Sequence, residues 1–244
     1  MRSVLGRRAE QKSLQTLPAG PQRIVINVPK WAKLIFGVLL LPVCLGAARA
    51  LWRVLQHAGA ADTIWVAFGA GAAIWVGVFV MLPKPMWVYV VGHELTHVVW
   101  TWLFGGRVKR FRASAKGGEV IVTKTNFLIS LAPYFFPLYA VLVVGIFMTG
   151  HLIWNWAGYA TWFHLLLGGA YAFHVTLTAH ILRTRQSDIT QHGYLFSAVI
   201  IFIGNLAVLL VGLPVLTRSV GVTTVLAWWF KDTIAVWHRL AGLF

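Results

Sequence analysis

The segment 91–98, VGHELTHV, carries two histidines and a glutamate at a spacing that suits metal chemistry. On a helix His93 and His97 are i and i+4, so they share one face, with Glu94 beside them. Neutral imidazoles can hold a zinc ion while a third protein ligand leaves the fourth position for water. Zinc lowers the pKa of that water from about 16 to about 7, and a nearby carboxylate can take its proton. The pattern therefore predicts that His93 and His97 bind zinc and that Glu94 is the catalytic base.

These polar residues lie in the middle of an apolar run, residues 85–106, that is otherwise uncharged. A charge at the centre of a membrane-length helix costs roughly 3 kcal/mol on translocon scales, so Glu94 requires partners. A bound metal would supply them. The alternative is a buried, hydrogen-bonded cluster without a metal.

The composition indicates an integral membrane protein. Hydrophobic residues make up 59% of the chain and the mean hydropathy is +0.74, far above an ordinary soluble domain. The net charge of +15 arises mostly from basic residues in the tail and loops, where they would meet the anionic headgroups of the lipid bilayer. No nucleic-acid partner is expected, because these residues are dispersed among membrane segments without a stacking motif.

Six apolar runs approach or exceed the roughly 20 residues that cross a bilayer, at about 32–51, 63–82, 86–106, 126–148, 158–182 and 193–217. We expect an all-α, multi-pass integral membrane protein, placed in a bacterial inner membrane. Residues 1–31 are predicted to be a basic tail, 32–218 a polytopic membrane domain and 219–244 an amphipathic interfacial helix. In that helix, Lys231, Asp232, His238 and Arg239 share a polar arc opposite an aromatic face.

Several local signals refine this picture. Small residues after Phe68 predict a close helix contact in the second span, and Asn126 is the expected N-cap of the fourth. Pro133 and Pro137 should kink that fourth span.

A short β-hairpin is predicted at 107–124, directly after the zinc helix, because Lys116-Gly117-Gly118 signals a turn and Val120 to Thr123 is an unbroken β-branched run. The hairpin is either a membrane-surface loop or an edge strand that holds an extended substrate by backbone hydrogen bonds.

The chain resembles the site-2 protease family of intramembrane zinc metalloproteases. The likeness runs from Gly92-His-Glu-Leu-Thr-His97 through Leu103-Phe-Gly-Gly-Arg-Val108 and Phe111 to Gly117-Gly118. It is similar to the metal helix, short loop and following sheet of that family, without a PDZ-like insertion. The resemblance implies a minimal zinc metalloendopeptidase that uses a zinc-activated water to cleave a peptide bond in or next to a membrane-spanning protein or peptide substrate.

In that family the third zinc ligand is an Asp in a Leu-Asp-Gly motif on a later helix, and no Leu-Asp-Gly occurs here. Asp188 is the acidic residue in the corresponding part of the chain, so the resemblance implies it as the third ligand. It is alternatively an N-cap that opens the sixth span. His174 and His180 are competing ligands, because imidazole suits zinc equally well.

Two other classes of function are compatible with the same residues. A non-proteolytic membrane scaffold or lipid-binding protein could keep the HELTH helix as a structural metal site. A transporter of divalent metal ions would require more carboxylates in the spans than Glu94 supplies.

Overall fold

The computed structural model describes residues 28–59, 61–115 and 117–242, and it is mainly helical. Most of the predicted basic tail, residues 1–27, lies outside the described residues. The helices and strands are α1 Lys30–Leu39, α2 Leu41–Ala58, α3 Asp62–Met81, α4 Met86–Leu103, β1 Val108–Ser114, β2 Gly117–Val122, α5 Phe127–Leu131, α6 Leu138–Trp154, α7 Ala160–Ile181, α8 Ser187–His192, α9 Tyr194–Thr217 and α10 Val222–Ala241. Two short 3-10 turns, Ala132–Tyr134 and Trp156–Tyr159, precede α6 and α7.

Three segments of the described chain are long and apolar enough to cross a membrane: Lys30–Ala58, Asp62–Met81 and Tyr194–Thr217. A fourth exists if Phe127–Tyr134 and Leu138–Trp154 are counted as one broken span. The helices α4 and α7 are not among these segments, because their histidines and Glu94 lower the mean hydropathy. Three of the six predicted spans are thus present as apolar helical segments, the first of which comprises α1 and α2, and a fourth is bent.

The bend in the fourth span confirms the predicted proline kink. The two halves meet at 80°. Pro133 lies inside the 3-10 turn and Pro137 directly precedes α6, where the missing N–H of each proline interrupts the helical ladder. At the start of the span, the side chain of Asn126 accepts a 2.8 Å hydrogen bond from the N–H of Ile129, which confirms the predicted cap. The bend turns Tyr134 into the interior, where its side chain is 1% exposed.

Helix α3 packs closely along α7, as the small residues of the second span predict. A Cβ on Gly71 would overlap the backbone carbonyl of Leu165, and a Cβ on Gly168 would overlap that of Phe68. Only glycine allows the two backbones to approach this closely. This contact attaches α3 to α7, which also packs against α6.

A second bundle is formed by α2, α9 and α10, around a core of Ala47, Ala50, Val54, Leu206, Leu210 and Val225. The predicted C-terminal helix corresponds to α10, but its expected polar arc is not wholly exposed. Asp232 is 7% exposed and accepts a 2.8 Å hydrogen bond from Arg53 on α2. Asp232 can face the α2 helix and not solvent because pairing with Arg53 compensates for burial of the carboxylate.

The predicted hairpin is present. Strands β1 and β2 form a two-stranded antiparallel sheet in which Phe111 faces Val120, with a bulge between Val108 and Arg110. The turn lies earlier than predicted, since Gly117 and Gly118 already belong to β2. Helix α4 packs against both strands, so the hairpin lies directly on the helix that carries the HELTH segment.

Candidate metal centre

Helix α4 directs the imidazoles of His93 and His97 toward Asp188, which is contributed by α8. Oδ2 of Asp188 lies 3.6 Å from Nε2 of His93 and 3.7 Å from Nε2 of His97. One ligand atom from each of the three residues lies within 4.8 Å of the other two. Within the described residues, this is the group of His, Cys, Asp and Glu that could hold a metal ion. The structure thus brings together the three residues that the resemblance implies as metal ligands.

The donor set and its spacing fit zinc. Ligand atoms at about 2.0–2.1 Å from a tetrahedral ion lie roughly 3.4 Å apart. The distances from Oδ2 of Asp188 to the two Nε2 atoms, 3.6 and 3.7 Å, are close to this value. Two imidazoles and one carboxylate are a ligand set typical of zinc sites that keep a fourth position open. The carboxylate therefore lies close to the distance from each imidazole that a shared zinc ion requires.

The hydrogen bond to His97 selects the tautomer that a metal ligand needs. Nδ1 of His97 lies 2.8 Å from the backbone carbonyl of Ile129, on the capped helix α5. A carbonyl only accepts, so Nδ1 carries the proton, and in the neutral imidazole Nε2 is then the nitrogen left free to bind a metal. In contrast, Nδ1 of His93 is buried and has no hydrogen-bond partner among the described residues.

Asp188 is a member of the cluster, and its alternative interpretation as an N-cap is wrong. The N-cap position of α8 is Gln186, and Asp188 lies in the first turn. Its Oδ2 instead accepts a 3.1 Å hydrogen bond from the hydroxyl of Tyr134. Burial raises the pKa of the Asp188 carboxyl, but His93 and His97 outweigh that effect and leave it below its usual value. The carboxyl is therefore ionised, as a metal ligand must be.

Glu94 lies beside the three ligands without joining them. Its side chain is buried and packs against β2, where a Cβ on Gly118 would overlap Cγ of Glu94. Both residues line a cavity of about 440 Å³ that also contains His93, His97 and Asp188. The carboxylate and the three candidate ligands therefore open into the same chamber, between α4, β2 and α8.

The two competing histidines do not join the cluster. The ring of His180 packs edge-on against Phe79, with 6.2 Å between ring centroids. His174 is 7% exposed and lies on the other side of His93, beside a separate small cavity. Neither residue supplies the third ligand atom in this structure.

Sequence reasoning missed Tyr134. The signal available was a tyrosine between two prolines in an apolar span, because a buried tyrosine hydroxyl usually finds a hydrogen-bond partner. Asn205 supports the same turn, since its Nδ2 donates to the backbone carbonyl of Tyr134 over 3.2 Å. This agrees with the interhelical role expected for an asparagine in an apolar helix.

The arrangement can bind a divalent cation and place a carboxylate beside it in a partly enclosed chamber. The order of parts along the chain is a histidine-bearing helix, a hairpin, a bent span and a later carboxylate on a short helix.

Comparisons of the chain with models of protein families, with curated proteins and with solved structures found no match.

Proposed function

We propose that this protein is a membrane-embedded zinc metalloendopeptidase that hydrolyses a peptide bond within or beside a membrane-spanning substrate. The observation that supports the proposal best is the geometry of one cluster. Ligand atoms of His93, His97 and Asp188 lie within 4.8 Å of one another, and Glu94 lines the same cavity without being one of the three. Two imidazoles, one carboxylate ligand and a separate carboxylate are the parts that metal-assisted peptide hydrolysis requires.

Each side chain has a distinct task in this proposal. His93, His97 and Asp188 hold the zinc, which when bound supplies Lewis acidity and lowers the pKa of water. Glu94 accepts the proton of the attacking water and later donates it to the leaving amine, as a general base and then a general acid. Its burial against Gly118 keeps the carboxylate facing the chamber.

Strand β2 is the proposed binding edge for the scissile segment. Within the described sheet, β2 pairs only with β1, so its other edge is free for main-chain hydrogen bonds. Residues 117–120 of β2 line the chamber beside Glu94. An extended peptide added to this edge would lie across the metal cluster. A helical substrate must unwind first, because its carbonyls are hydrogen-bonded internally.

We further propose that α4 and α7 lie within the bilayer together with the more apolar spans, which gives the six-span, multi-pass arrangement. The polar side chains of α4 are turned inward, since those of His93 and His97 are only 12% and 14% exposed. A helix that buries its charged and imidazole groups inside the protein can present an apolar surface to lipid. Trp87, Trp102 and Leu103 are such exposed apolar side chains on α4.

Glu94→Gln tests the activity. The wild type and this variant are expressed in matched cells, and new N-termini of membrane proteins are compared by mass spectrometry. We expect new termini in or near membrane-spanning segments that appear with the wild type and are lost with Glu94→Gln, while both proteins retain equal zinc. Asp62→Asn is the matched control, because Asp62 is an exposed carboxylate at the start of α3, outside the chamber.

If wild type and Glu94→Gln retain equal zinc and yield the same termini, the protease proposal fails. The non-proteolytic scaffold or lipid-binding protein with a structural metal site would then be the better description. If Asp62→Asn also abolishes the new termini, cleavage depends on a carboxylate outside the chamber as much as on Glu94. The specific role of Glu94 as the base is then rejected.

A further inference from the structure

We infer that a buried water molecule joins His93 to His174 and that His174 thereby positions a metal ligand. This inference rests on the metal site of the proposed function and assigns a role to a histidine outside the metal cluster. It follows from three features: a buried imidazole nitrogen of His93 without a partner, a cavity that His93 lines, and a second such nitrogen on His174, which lines the same cavity.

The first feature is an asymmetry between the two candidate histidine ligands. Nδ1 of His97 is hydrogen-bonded to the backbone carbonyl of Ile129. His93 directs Nε2 toward Asp188, but its Nδ1 is buried without a hydrogen-bond partner among the described residues. A metal-ligating histidine almost always donates its other N–H to a carboxylate, a carbonyl or a water. His93 therefore lacks a partner of a kind that His97 has.

The second feature is the space next to His93. A cavity with about 20 Å³ of room for the centre of a water molecule is lined by His93, Tyr89 and His174. One water needs about 10–15 Å³ measured in this way, together with two to four polar partners. The cavity has room for one water molecule and is too small for a larger ligand.

The third feature is that two further residues lining this space carry unpartnered polar atoms. Nε2 of His174 and the hydroxyl of Tyr89 are also buried without a hydrogen-bond partner in the described part of the chain. His174 is 7% exposed and Tyr89 is 5% exposed, so bulk solvent does not satisfy them. Leaving such groups unpaired is unfavourable, because each has lost its hydrogen bonds to water. A single water can satisfy all three.

The donor and acceptor roles follow from the metal site. If Nε2 of His93 presents its lone pair to the zinc, Nδ1 must carry the proton and donate it to the water. The water then donates to Nε2 of His174. Tyr89 completes the coordination of the water through its hydroxyl. The hydrogen bonds that run from His93 through the water to His174 fix the plane of the His93 ring. His174 is therefore a positioning residue.

The experiment measures the zinc dissociation constant by competition with a chelator in detergent-purified full-length protein. His174→Leu removes the polar partner, His174→Gln keeps a hydrogen-bonding group, and His180→Leu is the matched control on the same helix. We expect His174→Leu to weaken zinc binding about tenfold, within the 10- to 100-fold range for partners that orient a metal ligand. We expect His174→Gln and His180→Leu to remain within about threefold of the wild type, by the same reasoning.

X-ray absorption at the zinc edge separates positioning from direct ligation. We expect two imidazoles around zinc in the wild type and in His174→Leu. Loss of an imidazole in His174→Leu would make His174 a ligand and overturn the inference, as would an unchanged dissociation constant. If His174→Leu does not fold, Tyr89→Phe, which removes only a hydroxyl, decides the matter: weaker binding supports the water and unchanged binding rejects it.

The outcomes for this inference and for the proposed function are distinguishable. If the wild type binds zinc with an affinity that depends on His174 but yields no Glu94-dependent cleavage, the water site stands and the protease proposal is rejected. If the wild type cleaves and its zinc affinity does not depend on His174, the protease proposal stands and the water site is rejected. A wild type without zinc rejects both.

Discussion

The hydroxyl of Tyr134 donates a hydrogen bond to Oδ2 of Asp188 over 3.1 Å, and the same oxygen faces His93 and His97. Tyr134 is held by the bend between Pro133 and Pro137 and is almost fully buried. The kink in the fourth span therefore places a hydrogen-bond donor beside the carboxylate that α8 contributes to the candidate metal site.

Tyr134→Phe should weaken zinc binding about tenfold without removing a ligand, because partners that orient a metal ligand typically contribute 10- to 100-fold in affinity. The fold should persist, since the aromatic ring and its packing are kept. Chelator competition on the purified protein measures the effect. Tyr159→Phe is the control, because Tyr159 is 60% exposed on the short turn before α7. Equal affinities for wild type and Tyr134→Phe would show that the hydrogen bond does not orient Asp188.

Zinc content should identify the ligands directly. We expect about one zinc per chain in detergent-purified wild type never exposed to chelator, and loss of that zinc in His93→Ala, His97→Ala and Asp188→Ala. His180→Ala should retain it, because His180 packs against Phe79 and lies outside the cluster. Elemental analysis by mass spectrometry gives the ratio of zinc to chain. Zinc retained in Asp188→Ala and lost in His180→Ala would reverse the assignment of the third ligand.

The part of the site that lies on one helix could be predicted from the sequence. The spacing of His93 and His97 places them on one face because α4 is a regular helix, and helical periodicity is a local property. Asp188 is 91 residues beyond His97 along the chain, so its place depended on a family resemblance and on the scarcity of acidic residues. Its competing interpretation as a cap was decided only by the path of the chain between α7 and α8.

The fold was predictable where signals were local and uncertain where packing decides. The proline bend, the Asn126 cap and the hairpin all follow from residue types at fixed positions. Two of the six expected spans, α4 and α7, are less apolar than the others. Their histidines and Glu94 lower the mean hydropathy of these two helices. The pairing of Asp232 with Arg53 depends on which side of α10 meets α2, and helical periodicity alone does not specify that side.

The ion pair between α2 and α10 should contribute to stability. Arg53→Met leaves Asp232 buried without its partner, so we expect the free energy of unfolding to fall by about 1–2 kcal/mol, a modest value because the Arg53 side chain is 43% exposed. The double variant Arg53→Met, Asp232→Leu should recover most of that loss, since it removes both charges. Unfolding by sodium dodecyl sulfate in mixed micelles measures both. Arg49→Met, an exposed arginine one turn earlier on α2, should have little effect, and an equal loss there would indicate a nonspecific role of charge.

Gly118→Ala should separate peptide hydrolysis from metal binding. A Cβ at this position would overlap Cγ of Glu94 and lie close to its carboxylate, so either β2 or the carboxylate must shift. The backbone of Gly118 does not adopt a positive φ, so alanine is compatible with its conformation and the effect is steric. Displacement of a catalytic group by about 1 Å can cost roughly 100-fold in rate. We therefore expect the appearance of Glu94-dependent N-termini to slow at least tenfold.

Zinc content should stay at the wild-type level in Gly118→Ala, because the three atoms nearest the added methyl group all belong to Glu94 and not to a candidate ligand. Gly145→Ala is the matched control, since a Cβ there meets no neighbouring atom. A variant that loses zinc together with cleavage would place Gly118 in support of the metal cluster rather than the base. If the variant cleaves at the wild-type rate, β2 shifts to accommodate the methyl group while Glu94 stays in place. The contact between β2 and the base would then not affect the rate of cleavage.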